Sequence, residues 1–378
     1  MAPSQAEPTP VETAPATETI AAPLLAWYAQ AGRTLPWRDI DDPYRIWVSE
    51  IMLQQTRVDT VLNYYDRFLE QFPTLSALAE ATEDQVLAAW AGLGFYRRAR
   101  NLHRAAKTMI SEHQGQVPSD PEALQTLPGI GRYTVGAILS SAHNARLPIV
   151  DGNVIRVLSR VFHLAGDPSR SAMQKELWRL AEAILPGDRP GDFNQALMDL
   201  GATVCHPVNP RCDTCPLQSL CLANKLGDPE DFPHPTRKTK VVFQQRAALY
   251  IRDRDGRMLL TRRPDAGLLA SMWELPAVDL QDGEDPAAAV TTLLPSAKRA
   301  RKIEPIGTVE HRFSHRHWTV HVFAAENPVA SSPLDNDQRR WVHPDDLHEI
   351  GLPTATWKAV RLGLKLLDAE QRPGESPG

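Results

Sequence analysis

Apolar positions recur at helical spacing from about Pro23 to Asn224, and the breaks in that rhythm fall at Phe72-Pro73, Val117-Pro118, Leu127-Pro128, Leu147-Pro148 and Leu185-Pro186-Gly187. The pattern predicts an all-α domain over residues 23–224, without repeats at a solenoid period. One helix is expected from about Tyr44 to Phe68, and another opens at Arg132 and buries Val135, Ile138 and Leu139. The rhythm stops in a Pro-rich connector, Gly227 to Thr236, so residues 225–240 read as an extended linker. From Val241 the period shifts towards two: Ala247 to Ile251, a turn at Asp255-Gly256, Met258 to Thr261, then His317 to Phe323. A last helix from Thr354 to Leu367 completes an α+β domain over residues 241–368. Residues 1–22 are rich in Pro, Ala, Thr and Glu and carry no apolar rhythm, so they, with residues 369–378, are expected to be disordered tails.

Length and charge refine this picture. With 378 residues and 42% hydrophobic content, each half can bury its own core. Apolar runs of membrane-spanning length are absent from the sequence, and residues 1–22 contain neither Lys nor Arg, which argues against a presequence or secretory signal. The expected location is the cytoplasm, at the bacterial nucleoid. A net charge of −5 does not exclude a nucleic-acid partner, because binding needs local basic density and not a basic total. Between Gln85 and Ser111 there is no acid, and Arg97, Arg100, Arg104 and Lys107 share one helix face with Arg98 and His103 at its flanks. That face is expected to contact phosphate.

Three groups of residues carry candidate chemistry. In Leu127-Pro-Gly-Ile-Gly-Arg-Tyr-Thr134, Gly129 and Gly131 allow a tight turn with φ > 0 that opens a helix with its first N–H groups free, a site for an anion such as a backbone phosphate. Some twenty residues on, Ile149-Val-Asp-Gly-Asn153 places a carboxylate at Asp151. Glu50 lies in a mostly apolar stretch, where desolvation would raise its pKa and make it a general acid. Breaking an N-glycosidic bond needs an acid for the leaving base and a negative charge for the cationic sugar, the two roles of a carboxylate pair. All four cysteines, Cys205, Cys212, Cys215 and Cys221, fall in C-x6-C-x2-C-x5-C, tight enough to close around one metal centre. The spacing alone fits either zinc or an iron–sulfur cluster.

At the Pro-Gly-Ile-Gly turn and Asp151 the chain resembles the helix-hairpin-helix DNA glycosylases. Leu35-Pro-Trp-Arg38, Ser49-Glu-Ile-Met-Leu-Gln-Gln-Thr56 and Trp90-Ala-Gly-Leu-Gly-Phe-Tyr-Arg-Arg-Ala-Arg-Asn-Leu102 narrow the resemblance to the adenine DNA glycosylases that act on adenine opposite 8-oxoguanine, over about residues 27 to 367. The resemblance implies that Glu50 protonates the adenine ring, that Asp151 stabilises or captures the sugar, and that Tyr133 and Asn153 hydrogen-bond around them. It also implies a [4Fe–4S] cluster on the four cysteines, and DNA contacts from Arg38, Gln55, Phe95, Tyr96, Gly129, Gly131 and Gln195. In the related endonuclease III group a Schiff-base lysine stands where this chain has Tyr133, so base removal without efficient strand cleavage is expected.

Phe95 replaces the tyrosine most members carry as a wedge in the base stack; the ring is kept and the hydroxyl lost. Gln55 matches the second wedge position. Gly267 to Pro276, with Trp273-Glu-Leu-Pro, resembles the Nudix-like domain appended to this family, but an Arg-Glu-x-x-Glu-Glu magnesium run does not follow Pro276. The domain is therefore expected to read the lesion, through Phe313, Ser314 and His315, and not to hydrolyse nucleotides. The expected partner is double-stranded DNA with 8-oxoguanine:adenine or guanine:adenine mispairs, bound by a monomer. Two alternatives are a relative that removes another base, such as thymine, and a non-catalytic mismatch sensor; keeping both Glu50 and Asp151 argues against the sensor.

Overall fold

The computed structural model describes residues 15–234, 240–294, 302–326 and 336–371. In chain order the helices of the first part are α1 (Ala21–Ala31), α2 (Pro43–Leu53), α3 (Val58–Gln71), α4 (Leu75–Glu80), α5 (Glu83–Ala89), α6 (Arg97–Glu112), α7 (Pro121–Thr126), α8 (Arg132–His143), α9 (Gly152–Val161), α10 (Ser171–Ile184), α11 (Pro190–Thr203) and α12 (Leu222–Leu226). The second part holds β1 (Val242–Arg252), β2 (Met258–Arg262), β3 (Trp273–Glu274), β4 (Ala277–Asp279), α13 (Pro286–Val290), β5 (Glu304–Arg312), β6 (Arg316–Glu326), β7 (Arg339–Val342) and α14 (Thr354–Gln371). The all-α and α+β halves expected from the sequence are both present. Among the described residues, no helix is long and apolar enough to cross a membrane.

The chain forms two compact units, and neither is continuous in sequence: residues 1–54 with 111–237, and residues 55–110 with 238–378. In the first unit, α1 and α8 to α11 bury Leu24, Ala137, Val154, Leu158, Leu180, Phe193 and Leu197 in one apolar core that reaches the cysteine loop at Leu217 and Cys221. Helix ends are fixed by short polar side chains. Asp42 accepts from the backbone N–H of Tyr44 and Arg45 at the start of α2, and Asp120 does the same for Ala123 in α7. Each such cap is worth about 1 kcal/mol.

The expected single helix from Tyr44 to Phe68 is two helices. Gln55 takes φ +58 between α2 and α3, a left-handed turn that neither Gly nor Pro announces. Regular structure is also found within both stretches expected to be tails and within the expected linker. Residues 1–14 lie outside the described residues, but Thr17–Thr19 form a 3₁₀ turn, and Ile20 is buried one helical turn before Leu24. At the expected linker, Phe232 is buried and its carbonyl accepts from Arg160 Nε at 2.9 Å; residues 235–239 lie outside the description. At the other end α14 continues to Gln371, leaving only residues 372–378 of the second expected tail outside the description.

In the second unit the strands form one sheet of order β3-β2-β1-β6-β5, with β4 on β1 and β7 on β2. β1 and β6 run parallel, Val242 opposite Arg316 through Arg252 opposite Glu326; the other pairings are antiparallel. Alternate residues of β1 enter different cores. Ala248 and Tyr250 pack with Ala355, Ala359 and Val360 of α14, while Ala247, Leu249 and Ile251 pack with Val290 of α13. Both faces of β1 are covered, so its centre reads as an unbroken apolar run and not as the alternation of a half-exposed strand. In the same unit, α3, α5 and α6 bury Phe68, Leu87, Trp90 and Leu102, with Phe68 edge-on to the Trp90 ring at 5.9 Å.

Candidate active site

Two helix starts and one helix face build the site, all within the first unit. Glu50 sits in the third turn of α2, only 4% exposed, with Trp47, Val48, Ile51 and Met52 buried around it. Tyr133, in the first turn of α8, donates its hydroxyl to Glu50 Oε2 at 2.9 Å, and Met198 Sδ lies 3.4 Å from the Tyr133 hydroxyl oxygen. Burial pushes the Glu50 carboxyl up to about 7; the negative charge of Asp151 adds to the rise, while the Tyr133 hydroxyl and Arg38 oppose it.

Asp151 is the N-cap of α9. Its Oδ1 accepts from the backbone N–H of Val154 at 2.7 Å, and its Oδ2 accepts from Asn153 Nδ2 at 3.0 Å. Burial raises its pKa and these donors hold it back. The two carboxyls thus sit in contrasting settings. Glu50 has one donor and strong desolvation, which favours its protonated form near neutrality; Asp151 has donors aimed at both oxygens, which favours its charge.

Neighbouring residues hold this arrangement in ways the motifs did not announce. Arg156, on the same face of α9 as Asn153, donates to Asn153 Oδ1 at 2.9 Å, to the Gly201 carbonyl at 2.6 Å and to the Cys205 carbonyl at 2.7 Å, so it ties the Asp151 loop to the first cysteine. Its spacing of three from Asn153 was the available signal. Gly201 of α11 lies so close to the loop that a Cβ there would stand 2.5 Å from Asn153 Cβ. A larger residue would push Asn153 off Asp151.

The hairpin between α7 and α8 has the expected form with one difference. Gly129 takes φ +81, whereas Gly131 is extended at φ −102 and serves as the N-cap of α8. It caps the helix without a side chain, so the first N–H groups of α8 have no side-chain acceptor, and Ile130 plugs into the interior beneath them. A phosphate there would meet these donors and the positive end of the helix dipole.

Several expected DNA contacts are engaged in other ways. Arg38 is buried, and its two terminal nitrogens donate to Asp199 at 2.7 Å each, an ion pair that Arg33 joins; this geometry fixes the α1–α2 connection to α11 and corrects the expected DNA contact. Tyr96 is buried too, with its hydroxyl between the Gly92 N–H and the Leu352 carbonyl, so its ring is not offered to DNA. Gln195 donates to Ser141 Oγ at 3.2 Å on a pocket lined also by Trp37, Asn144 and Arg189. Of the basic face of α6, Arg97, Arg104 and Lys107 are exposed, but Arg100 bonds the Ala270 carbonyl and pairs with Glu83. The expected flanking pair Arg98 and His103 is buried.

Gln55 and Phe95 remain available in the second unit: both are exposed, and Phe95, like Gln55, has a positive φ, +48. At the tip of the β5–β6 hairpin Ser314 and His315 are exposed, held by Phe313 N–H to the Arg316 carbonyl at 2.7 Å and by Val242 N–H to the His315 carbonyl at 3.0 Å. Phe313 itself is half-buried, edge-on to Trp318 at 4.9 Å, so it supports the tip and is not presented beside Ser314 and His315 as a reader.

The four cysteines line one cavity together with Val157, Arg160, Val204 and Leu217. Arg160 Nη1 lies 3.3 Å from Cys205 Sγ. Among the described residues, sets of three or more Cys, His, Asp or Glu side chains gathered to hold a single metal ion are absent; the thiols instead surround a space, which suits a centre of several atoms. Burial pushes the Cys215 thiol up to about 12 and raises Cys212 and Cys221, so positive charge from a bound centre is what would draw thiolates there. Residues 205–221 match the iron-sulfur binding domain of endonuclease III, and the chain's cofactor is a [4Fe–4S] cluster; Cys205, Cys212, Cys215 and Cys221 are the residues that would hold it.

Residues 48–183, which contain Glu50, the hairpin and Asp151, match the model of the HhH-GPD superfamily of base excision DNA repair proteins, and residues 247–362 match a NUDIX domain. A solved thermostable thymine-DNA glycosylase is similar to the first part: 31% identity, TM-score 0.52, covering 56% of this chain and 97% of that one. The adenine DNA glycosylase of Homo sapiens is 36% identical over 403 residues, 90% of this chain and 73% of the relative. That of Buchnera aphidicola subsp. Schizaphis graminum is 32% identical over 347 residues, 90% of this chain and 97% of the relative. The glycosylase, iron-sulfur and NUDIX matches follow one another along this chain, and the chain belongs to the adenine DNA glycosylase family.

Proposed function

We propose that this enzyme hydrolyses the N-glycosidic bond of adenine mispaired with 8-oxoguanine or guanine in DNA, as a monomer, and leaves the abasic strand intact. The observation that supports this most is the Glu50 carboxyl, buried and poised near neutrality beside Tyr133 and the charge of Asp151. The adenine is extruded from the stack into the site, since its ring cannot be reached within a duplex. Glu50 then delivers its proton to the ring as the bond to the sugar breaks, and the base departs neutral. The sugar gains positive charge as it loses the base; Asp151, pinned by Val154 N–H and Asn153, faces that charge until a water adds to the anomeric carbon and gives a proton back to the Glu50 carboxylate. The Tyr133 hydroxyl stays on one oxygen of Glu50 and leaves the other to carry the proton.

Backbone phosphate is anchored at the start of α8 and by the exposed cations of α6, which position DNA without reading it. Ser314 and His315 supply donors and acceptors for the oxidised guanine. At position 133 the chain has a phenol and no amine, so a Schiff base with the abasic sugar does not form there. The alternative substrate, thymine, has support in the thymine-DNA glycosylase likeness, but that protein aligns with only 56% of this chain, whereas the adenine glycosylases span 90%, sheet included.

Single-turnover assays on duplexes with 8-oxoguanine:adenine, guanine:adenine and guanine:thymine test this. Adenine release from the first two with strand scission only after alkali is the expected result; thymine release, or borohydride trapping of the enzyme on DNA, would overturn it.

A further inference from the structure

We infer that Arg98 is the positioning residue that sets Gln55 and Phe95 as one DNA-distorting unit; this rests on the reading of those two side chains as the part that enters the base stack. Gln55 and Phe95 lie on different loops, forty positions apart, yet share two properties: exposed side chains, and backbones in a region that non-glycine residues rarely adopt. Phe95 is 45% exposed, a large aromatic held out from the surface. Such a conformation persists only when its surroundings over-determine it.

The Arg98 guanidinium supplies that constraint. Its Nη2 donates to Thr56 Oγ1 at 2.9 Å, next to Gln55, and to the carbonyls of Leu93 and Gly94 at 3.3 and 3.2 Å, next to Phe95. Its Cζ lies 5.3 Å from the centroid of the Phe95 ring and 5.3 Å from that of the Trp90 ring. Trp90, fully buried, also gives its Nε1–H to the Gly94 carbonyl at 3.1 Å. One cation thus joins both loops and touches the aromatic ring. Intercalating side chains work by arriving rigid, since unstacking a base step is costly and a loose ring would rotate away instead. Lysine cannot replace it, because a single ammonium lacks the planar fork and the stacking face.

The test uses the full chain with its cluster and a duplex holding the 8-oxoguanine:adenine mispair, with 2-aminopurine beside the 8-oxoguanine as a fluorescent reporter of unstacking. Arg98→Met is expected to remove most of the fluorescence gain on binding and to slow single-turnover base release by about tenfold, the rate equivalent of one strong hydrogen bond. Affinity for undamaged duplex should stay within about twofold. Arg98→Lys should restore only part of the gain. Thr56→Val, which removes one acceptor from a half-buried surface position, should give the same signature in milder form and carries the test should Arg98→Met fold poorly. Phe95→Ala with Arg98→Met should be no slower than Phe95→Ala alone. Additive losses in that pair, or unstacking and undamaged-duplex affinity falling together, would reduce Arg98 to a structural staple. Loss of the fluorescence gain in Phe95→Ala with its retention in Arg98→Met and Thr56→Val would overturn the clasp alone, whereas retention in Phe95→Ala would remove the wedge reading and the clasp with it.

Discussion

The proposed catalytic pair of the first unit and the proposed lesion-reading hairpin tip of the second solve opposite physical problems. Glu50 and Asp151 are removed from water and held by Tyr133, Asn153 and a helix N-terminus, because a group that must carry a proton near neutrality, or oppose a positive charge, acts strongly only in a low-dielectric, fixed setting. Ser314 and His315 stand in solvent on a turn whose backbone alone is fixed, by Phe313 N–H to Arg316 and by Val242 N–H to His315. A reader has to present free donors and acceptors and exchange water for a base edge. The chemistry therefore tolerates almost no change in its surroundings, while recognition is divided among contacts that are individually weak.

The largest effect expected from this contrast is at Glu50. Glu50→Gln should bind duplex normally and lose base release by roughly 10²- to 10⁴-fold, the range for a missing general acid, measured under single-turnover conditions. The same substitution has a stability consequence with a definite sign. A carboxyl raised from 4.5 to about 7 on folding contributes stability below the unfolded value that is lost as pH rises through about 7. Denaturant melts at pH 8 should therefore show Glu50→Gln more stable than the parent, by up to about 3 kcal/mol, with the difference shrinking by pH 5. Equal effects at both pH values would mean that Glu50 is not desolvated as described.

At the reading tip a smaller and divided loss is expected. Replacing Ser314 and His315 together with alanine should reduce the preference for 8-oxoguanine:adenine over guanine:adenine by about tenfold, with little change in undamaged-duplex affinity, since one neutral hydrogen bond is worth about 1 kcal/mol. Each single replacement should give a fraction of it. An unchanged ratio of rates on the two mispairs would show that the tip does not read the lesion.

How far the sequence disclosed these regions follows from how local their causes are. The hairpin, the Asp151 cap and the cysteine loop are each written in fewer than about twenty consecutive residues with fixed spacing, so they could be read directly. Partnerships over long separations could not. Arg38 meets Asp199 at a sequence distance of 161, and a basic residue near a motif looks the same whether it faces phosphate or a buried carboxylate. Tyr96 and Arg98 were drawn inward by Leu352 and Thr56 for the same reason. The break at Gln55 lacks Gly and Pro because tertiary contacts around Thr56, not local propensity, hold the turn. Composition misjudged Ile20 and Phe232, where one apolar residue in a polar stretch was enough to anchor the chain on the core.

A finer adjustment concerns the partner of the acid. The Tyr133 hydroxyl lowers the Glu50 pKa, so Tyr133→Phe should move the loss of activity at high pH upward, by less than about one unit. A downward shift would mean that the hydroxyl supports the protonated form instead.

The pH dependence of single-turnover adenine release by the unaltered enzyme tests the central claim most directly, because it reports the protonation state in which Glu50 acts. The rate should hold level below about pH 7 and fall towards tenfold per unit above it as Glu50 loses its proton, with that limb absent from the residual activity of Glu50→Gln. A rate that stays flat or rises from pH 6 to pH 9, or a falling limb that survives in Glu50→Gln, would contradict the assignment of the buried glutamate as the acid.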